Sequence, residues 1–193
     1  MSTARTPPAT TVRYLIDASG SKFIVRAFAT GMLSAFGHNP TIAIPDFQGE
    51  VQWTSGGLED ASLRIVIQAA SLTVTDDISE KDRQEIERRM HDEVLETDGF
   101  EQIVYECPRP SSVQKISEGQ YAVTLNGELA LHGVTRAQPV FARITIKDDT
   151  LRAAGDFSVR LSDYDIRPVS AAGGTVKLKD ELKLAFDMIA RRA

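Results

Sequence analysis

Cysteine is almost absent from this chain: its 193 residues include only Cys107, so no intrachain disulfide can form. Cys107 alternates with Ile103 and Tyr105, a pattern that predicts a buried and unreactive thiol. No apolar run approaches the length needed to span a bilayer. The first residues contain no apolar signal segment. We therefore expect a cytoplasmic protein if Met1 is the natural start, and a periplasmic one if a signal peptide has been removed.

Positive charge is also scarce. Lysine and arginine total 22 against 27 aspartates and glutamates, which gives a formal net charge of −5 at pH 7. Because recognition of phosphates in nucleic acids usually needs a basic surface, this balance argues against a nucleic-acid partner. The excess of acids is local, since residues 76–101 contain eleven acids and four bases. This distribution predicts a solvated helix face.

The motifs of common catalytic and metal sites are missing. The chain has no G-x-S-x-G elbow, phosphate-binding loop, G-x-G-x-x-G turn or C-x-x-C pair. The spacing of His38, His91 and His132 does not indicate a metal site, and His91-Asp92-Glu93 is not the H-E-x-x-H of zinc proteases. No pair of carboxylates stands out as an acid/base couple. We therefore expect no cofactor, no metal and no enzymatic activity.

What the chain does contain is a long alternation of apolar and polar residues at 121–134 (YAVTLNGELALHGV). Successive side chains of a strand point to opposite faces, so this segment is predicted to be one strand with an apolar and a polar side. His132 falls on the polar side. Glycine permits a tight bend, so residues 132–135 are interpreted as a turn that needs no ligand to explain it.

The same alternation recurs along the chain and predicts about eight strands. They are residues 23–28 (preceded by a short strand at 14–17), 47–53, 63–69, 102–106, 121–131, 140–146, 151–161 and 181–189. Eight antiparallel strands can close into a barrel that holds one small ligand, and closure removes exposed sheet edges. The predicted fold class is an all-β, closed or nearly closed antiparallel barrel. Residues 1–12 are expected to form a disordered lead-in and residues 13–190 a single domain.

One α-helix is predicted between the central strands. Residues 79–82 (SEKD) suit a capping box, in which the serine accepts a hydrogen bond from a backbone amide at the helix start. Ile86, Met90 and Val94 follow at a spacing of four and share one face. Asp98-Gly99 suits a helix stop. The apolar stripe is narrow, so the helix is expected to lie against the barrel rather than inside it.

Three segments together resemble the YceI-like family. Residues 127–135 (GELALHGVT) are similar to its G-x-L-T-L-H-G-V-T, and residues 157–166 (FSVRLSDYDI) are similar to its F-x-I-x-R-S-D-F-G-I. Residues 89–100 (RMHDEVLETDGF) look like the family's helix end. The likeness covers roughly residues 14–189. The chain departs from the family at 100–102 (FEQ), where members usually have Tyr-Pro.

The resemblance implies a lipocalin-like barrel that binds polyisoprenoids and related amphiphiles. The family offers no polar ligand motif to transfer, so candidate ligand-binding residues come from the alternation, and for each of them ordinary core packing is the alternative. These candidates are Phe23, Val25, Phe47, Val51, Trp53, Ile65, Ile67, Tyr105, Val123, Leu125, Leu129, Phe157, Val159, Leu184 and Phe186.

Three functional hypotheses follow. The first is a non-enzymatic carrier of a long-chain amphiphile: a polyisoprenoid, an isoprenoid quinone or a fatty-acyl ligand. The second is a structural or partner-binding module whose barrel is filled by its own side chains. The third is a lipid-modifying enzyme with Asp92, His38 or His132 near the mouth of the barrel. A homodimer is compatible with all three.

Overall fold

Long antiparallel strands dominate the fold. The computed structural model describes residues 11–30, 39–54, 57–167, 170–171 and 176–193. These residues form the strands β1 (Thr11–Arg26), β2 (Ala29–Thr30), β3 (Thr41–Ala43), β4 (Phe47–Thr54), β5 (Ser62–Gln68), β6 (Thr73–Val74), β7 (Gln102–Cys107), β8 (Pro110–Ser117), β9 (Gln120–Leu131), β10 (Val134–Lys147), β11 (Thr150–Arg160), β12 (Ser170–Ala171), β13 (Val176–Leu178) and β14 (Glu181–Arg192).

Eight of these strands close into a barrel. The hydrogen-bonded order is β14, β11, β10, β9, β7, β5, β4, β1, and β1 pairs with β14 to complete the circle. All the pairings are antiparallel. The predicted all-β barrel is therefore confirmed. Closure leaves no free edge among the eight strands, which is the usual protection against pairing with other chains.

The remaining strands extend the barrel. β8 pairs with the first half of β9, residues 120–125. β3 pairs with the end of β1, and β6 pairs with β3. β12, β13 and β2 form a separate small sheet. The alternation did not predict these strands, most of which have only two or three residues. Residues 31–38, which include His38, lie outside the described residues.

The sequence predicted two short strands where the structure has the single strand β1, which contains an irregularity. Its pairing with β14 shifts register between Asp17 and Lys22. Before the shift, Tyr14 and Ile16 point into the barrel, and after it Phe23 points inward. The Ser21 hydroxyl accepts a hydrogen bond from the Ile189 amide at 2.9 Å, so a side chain replaces part of the backbone ladder there. Across the shift β1 advances five residues while β14 advances two, so β1 has three extra residues. An odd number of extra residues exchanges the two faces of a strand, and the shift thus keeps both halves of β1 apolar on the inside.

Within the described ranges there is one α-helix, α1 (Glu80–Arg89), and it continues as a π-helical turn (Met90–Val94). The Ser79 hydroxyl accepts a hydrogen bond from the Asp82 amide at 3.1 Å, so the predicted N-cap is confirmed. The predicted stop at Asp98-Gly99 is wrong. The helix ends by Val94, and Glu96 rather than Gly99 adopts the left-handed conformation, with φ of 46°.

Short 3-10 turns connect several of the strands: Leu58–Asp60, Ala69–Ser71 and Leu161–Tyr164. Among the residues that the structure describes, no helix is both long enough and apolar enough to cross a bilayer. Cys107 is 1% exposed, so its predicted burial is confirmed.

The helix lies at the end of the barrel where β1 finishes. There β1 pairs with β3, and β3 pairs with β6. From α1, Arg83 donates hydrogen bonds to the carbonyl oxygens of Val74 and Asp76, and Glu87 accepts from the Val74 amide at 2.8 Å. We call this end, formed by α1 and the π-helical turn, the helix end.

A separate apolar cluster lies at the opposite end of the barrel. Tyr14, near the start of β1, packs there with Leu151 and Ala190, and Trp53 packs against them. The Tyr14 and Trp53 rings are stacked, with centroids 5.1 Å apart and planes inclined by 9°. We call this end, defined by Tyr14, Trp53, Leu151 and Ala190, the Tyr14 end.

Candidate functional site

A cavity of about 320 Å³ lies inside the barrel. Every one of the eight barrel strands contributes to its wall, and nearly all of the lining side chains are apolar. The lining extends from Leu58 and Ala61, near the Tyr14 end, to Met90 and Leu182 near the helix end. This volume lies at the lower end of the range for small-molecule pockets, about 300–1,000 Å³. The barrel is therefore hollow along much of its length rather than filled by its own side chains.

Thirteen of the fifteen predicted ligand-binding residues line this cavity, and for all of them ligand contact stays a prediction. They are Phe23, Val25, Val51, Ile65, Ile67, Tyr105, Val123, Leu125, Leu129, Phe157, Val159, Leu184 and Phe186. Several of them, including Phe157, Leu184 and Phe186, point inward and still retain accessible surface. This is expected of side chains that border a hollow instead of packing against other side chains.

The structure places the other two residues outside the cavity lining. Phe47 is 4% exposed and packs edge-to-face on Phe23, with ring centroids 6.0 Å apart. Trp53 belongs to the cluster of the Tyr14 end. Both residues have the inward alternation that predicted them. Alternation identifies the face of the sheet but not the level along the barrel at which side chains fill the interior.

Aromatic side chains shape the middle of the cavity. The Phe186 ring lies 6.4 Å from those of Phe23 and Phe157. It also covers Gly155 on the neighbouring strand, where an added Cβ would come within 2.8 Å of the Phe186 Cζ and 2.3 Å of the Phe141 carbonyl oxygen. The absence of a side chain at Gly155 thus lets the Phe186 ring approach the neighbouring strand closely. The ring then takes up less of the centre of the barrel.

The Tyr105 ring also lies against a glycine of a neighbouring strand, Gly127. Its hydroxyl donates to the Gln138 carbonyl oxygen and accepts from the Gly127 amide, both at 3.1 Å. A Cβ on Gly127 would lie 2.5 Å from the Tyr105 Cζ, which gives a physical reason for glycine in the 127–135 segment. Burial raises the pKa of Tyr105 to about 12. The phenol is therefore neutral at physiological pH and bonded to the barrel wall.

One charged side chain belongs to the lining within the described part of the chain, and sequence reasoning did not select it. Arg89 lines the cavity together with Ile86 and Met90 of the same helix face. Its Nε donates to Glu85 Oε1 at 2.7 Å. The arginine was missed because residues 76–101 were interpreted as a solvated face. Its position three residues after Ile86 and directly before Met90 was the available indication.

Glu85 is shared by two arginines. Besides the bond from Arg89, it accepts from the Arg88 Nε at 3.2 Å and the Arg88 Nη2 at 3.1 Å. The hydrogen bonds from Arg88 and Arg89 lower the pKa of Glu85 to about 2. Arg88 points away from the cavity, is half exposed, and lies within 3.7 Å of Asp92 and 3.5 Å of Glu93.

His132 occupies a turn, as predicted. Residues 132 and 133 connect β9 and β10 with positive φ values of 51° and 74°, which is the geometry of a two-residue hairpin. The imidazole packs on the Phe100 ring with centroids 4.2 Å apart and planes inclined by 47°. Its Nε2 lies 3.4 Å from Glu96 Oε1 but is not aligned for a hydrogen bond. Phe100, at the point where the chain departs from the family's Tyr-Pro, thus packs against this hairpin.

The enzymatic hypothesis named three residues, and the two that the structure describes are not part of the lining of the cavity. Neither Asp92 nor His132 lines it, and His38 lies outside the described residues. The His91 Nε2 is 3.0 Å from the Leu72 carbonyl oxygen, so His91 tethers the π-helical turn. Within the described ranges, no group of three or more histidine, cysteine, aspartate or glutamate side chains could hold a metal ion.

The family model described as YceI-like domain matches residues 14–190 of this chain. This span includes all eight barrel strands except the first residues of β1 and the last of β14. A search of curated proteins finds no match.

Solved structures share the fold at low sequence identity. BcnA of Burkholderia cenocepacia is 15% identical with a TM-score of 0.66, and the alignment covers 90% of this chain and 98% of that protein. A polyisoprenoid binding domain from Saccharophagus degradans, implicated in plant cell wall breakdown, is 14% identical with a TM-score of 0.66 and coverages of 93% and 98%. The Campylobacter jejuni YCEI protein is 15% identical with a TM-score of 0.55 and coverages of 78% and 83%.

Proposed function

The chain belongs to the YceI-like domain family, and from this membership we propose that it is a non-enzymatic protein that sequesters or carries one long-chain amphiphile. The ligand is a polyisoprenoid, an isoprenoid quinone or a fatty-acyl compound. Its tail occupies the barrel cavity, and its polar head stays at an end of the cavity. The observation that carries this proposal is the apolar hollow of about 320 Å³.

The cavity suits a flexible hydrocarbon tail for energetic reasons. Each methylene moved from water into an apolar environment contributes about 0.8 kcal/mol. Affinity should therefore rise about fourfold for each added methylene until the cavity is full. The chain length at which affinity stops rising would measure the usable length of the cavity. Because one methylene is worth little, selection among tails of similar length and width is expected to be weak.

A passive role is supported by the chemistry of the two nucleophilic side chains of β7, Tyr105 and Cys107. Burial raises the pKa of the Cys107 thiol, which donates a hydrogen bond to the Arg109 carbonyl oxygen at 3.2 Å. The Tyr105 phenol is neutral and bonded on both sides. A thiol and a phenol held in their protonated forms are poor nucleophiles at neutral pH. Depletion of an ester or diphosphate substrate in a turnover assay would contradict this part of the proposal.

Two measurements test the proposed function. Organic extraction of gently purified protein followed by mass spectrometry should release a long-chain amphiphile. In parallel, a fluorescent long-chain probe should bind saturably with one site per chain. Absence of both an extracted lipid and saturable probe binding would rule out the proposal.

A matched pair of variants locates the binding. Ala153 lines the cavity, whereas Ala154 is the next residue of β11 and is not among the lining residues. Ala153→Leu adds side-chain volume to the hollow, so it should weaken probe binding at least tenfold. Ala154→Leu should bind as the wild type does. Equal affinities for the two variants would place the probe outside the barrel.

Two expectations from the sequence are independent of the cavity. The first is a cytoplasmic location if Met1 is the natural start, or a periplasmic one if a signal peptide has been removed; the second is that the chain is compatible with a homodimer. Light scattering on the purified chain would test the second.

A further inference from the structure

We propose that the outer face of the barrel beside the helix end docks on an anionic lipid bilayer. The surface concerned is a basic patch, which we define as Arg26 of β1, Lys183 of β14 and Lys179, gathered around the ring of Phe28. The inference goes beyond the proposed function and does not depend on it, because a chain with an empty cavity would present the same surface.

Two cations of the patch lie directly opposite each other on neighbouring strands. Arg26 is the Cα partner of Lys183 where β1 pairs with β14. On their other sides, Arg26 faces Thr41 of β3 and Lys183 faces Ser158 of β11, so uncharged residues flank the pair. Like charges directly opposite each other destabilise a sheet. A local cost of this kind is expected where a surface serves binding rather than folding.

The Phe28 ring brings a third cation to this pair. The Nζ atoms of Lys179 and Lys183 both lie 5.9 Å from the centroid of the ring, a distance suited to cation–π attraction. The Lys179 amide also donates a hydrogen bond to the Phe28 carbonyl oxygen at 2.7 Å. Two ammonium groups are therefore held at one half-buried ring, next to the strand position of Arg26.

Carboxylates leave the charge of the patch exposed. Within the described ranges, no aspartate or glutamate forms an ion pair with Arg26, Lys179 or Lys183. The residues outside those ranges include no aspartate or glutamate at all. All three cationic side chains are exposed. The patch is thus a positive surface in a chain whose formal net charge is −5.

The acids that come next to the patch along the chain have other partners. Asp180 accepts hydrogen bonds from the Ser162 amide at 2.8 Å and the Ser162 hydroxyl at 2.7 Å, and Glu181 accepts from the Ser158 hydroxyl at 3.1 Å. Arg160 is the Cα partner of Glu181, and its charge helps to lower the pKa of Asp180 after the hydrogen bonds from Ser162. These two carboxylates are therefore offset locally by Arg160.

The arrangement of the cations favours an extended surface over a small anion. The side chains stand on the outward face of two adjacent strands, whereas a site for a small ligand needs polar groups that converge on one point. Anionic headgroups attract each exposed lysine or arginine, which is worth about fivefold in affinity per cation. The inward neighbours Val25, Leu182 and Leu184 line the cavity. Docking by the patch would thus bring the cavity wall next to lipid.

Two double variants form a matched pair for the test. Arg26→Gln/Lys183→Gln removes two cations of the patch. Arg143→Gln/Lys147→Gln is the control, because it removes one exposed arginine and one exposed lysine from β10 and changes the net charge equally. Co-sedimentation would measure the binding of each full-length chain to vesicles of phosphatidylcholine alone or mixed with phosphatidylglycerol, at low and at high salt.

The expected result is a loss confined to the patch variant. At low salt the wild type should bind anionic vesicles on the order of 100-fold more strongly than neutral ones, and high salt should remove most of this preference. The patch variant should lose about 25-fold of the binding to anionic vesicles, since two cations are gone, and the control should change by less than about threefold. Thermal unfolding should find the patch variant at least as stable as the wild type, because a like-charge pair is removed.

Other outcomes would overturn the inference. Equal binding of the wild type to both kinds of vesicle would do so, and so would equal losses in the two double variants, since net charge rather than the patch would then be responsible. Titration with a short duplex DNA covers another polyanion: binding of DNA without binding of vesicles would also refute bilayer docking. The long-chain probe, titrated without vesicles, tests the proposed function separately. If the wild type docked on anionic vesicles but bound no probe, the carrier function would fail and the docking surface would stand.

Discussion

The two ends of the barrel are built from the same alternation of apolar and polar residues, yet they differ in how the interior is filled. At the Tyr14 end, the stacked rings of Tyr14 and Trp53 do not line the hollow and pack against Leu151 and Ala190, which do. Towards the helix end, inward side chains border a hollow of about 320 Å³. The difference shows that an apolar inner face is necessary for a cavity but does not by itself produce one.

Side-chain volumes at facing positions explain the difference. At the Tyr14 end, two large rings meet in the narrow interior of an eight-stranded barrel, which side chains can fill. On β11, by contrast, the small residue Ala153 lines the hollow, and the Phe186 ring lies over Gly155. The Tyr14 end is thus expected to contribute mainly to the stability of the fold, and the hollow part mainly to ligand binding.

The largest expected change in stability comes from removing the Trp53 ring at the Tyr14 end. Trp53→Ala leaves the Tyr14 ring without its stacking partner and opens a void in the cluster. It should lower the free energy of unfolding by about 3 kcal/mol and change probe affinity little. Chemical denaturation and probe titration measure the two effects.

Phe157→Ala is the contrasting change at the hollow. Its ring already borders the cavity, so its loss should cost about half as much stability but should alter probe binding clearly. If Trp53→Ala weakened binding more than Phe157→Ala did, the division between a stabilising end and a binding region would be wrong.

A loss of stability smaller than that of Trp53→Ala is expected from a methyl group placed between the barrel wall and Tyr105. Gly127→Ala would bring its Cβ within 2.5 Å of both the Tyr105 Cζ and the Glu106 carbonyl oxygen. The phenol would have to leave its two hydrogen bonds, at a cost of about 2 kcal/mol in unfolding free energy. Gly99→Ala is the control, because its Cβ would meet only the Glu96 carbonyl oxygen at 3.6 Å. Equal destabilisation of the two variants in urea would contradict this account of Gly127.

The helix end should be the easier one to open. Ser79→Ala removes the hydroxyl that accepts from the Asp82 amide, and loss of such a cap costs about 1 kcal/mol. Because this helix forms part of the cavity wall, we expect faster amide exchange in residues 80–94 and faster release of a bound probe. Exchange in β1 near Tyr14 should stay unchanged. Uniformly faster exchange throughout the barrel would show that the two ends open together.

The smallest expected effect is a dependence on acid pH at the helix end. The pKa of Glu85 falls from its ordinary value of 4.5 to about 2 in the folded protein because Arg88 and Arg89 donate to it. Its contribution to stability is therefore complete above about pH 4.5 and is lost as the pH falls towards 2. Glu85→Gln should lack this part of the pH dependence of thermal unfolding. Identical acid profiles for wild type and variant would contradict the assignment.

The sequence predicted the barrel well because alternation is a property of each strand alone. All eight barrel strands were predicted, and the N-cap at Ser79 and the turn at His132 follow from local hydrogen bonding and backbone geometry. The bulge in β1 could not be predicted, since it depends on how Asp17 and Lys22 pair with a strand more than 150 residues away.

The filling of the interior lay beyond sequence reasoning. Trp53 and Phe157 have the same inward alternation, but only Phe157 lines the cavity. What separates them is the set of side chains at the same level on other strands, and the order of strands around the barrel determines that set. Arg89 was missed for a similar reason: a charge-rich helix predicts a solvated surface unless its position over the barrel end is known.

The central claim is that the hollow holds an elongated amphiphile, and a crystal structure of the protein grown with palmitate tests it most directly. The account predicts continuous density along the cavity beside Phe157 and Phe186. An interior closed by rearranged side chains, with palmitate absent or bound only on the outer surface, would contradict it.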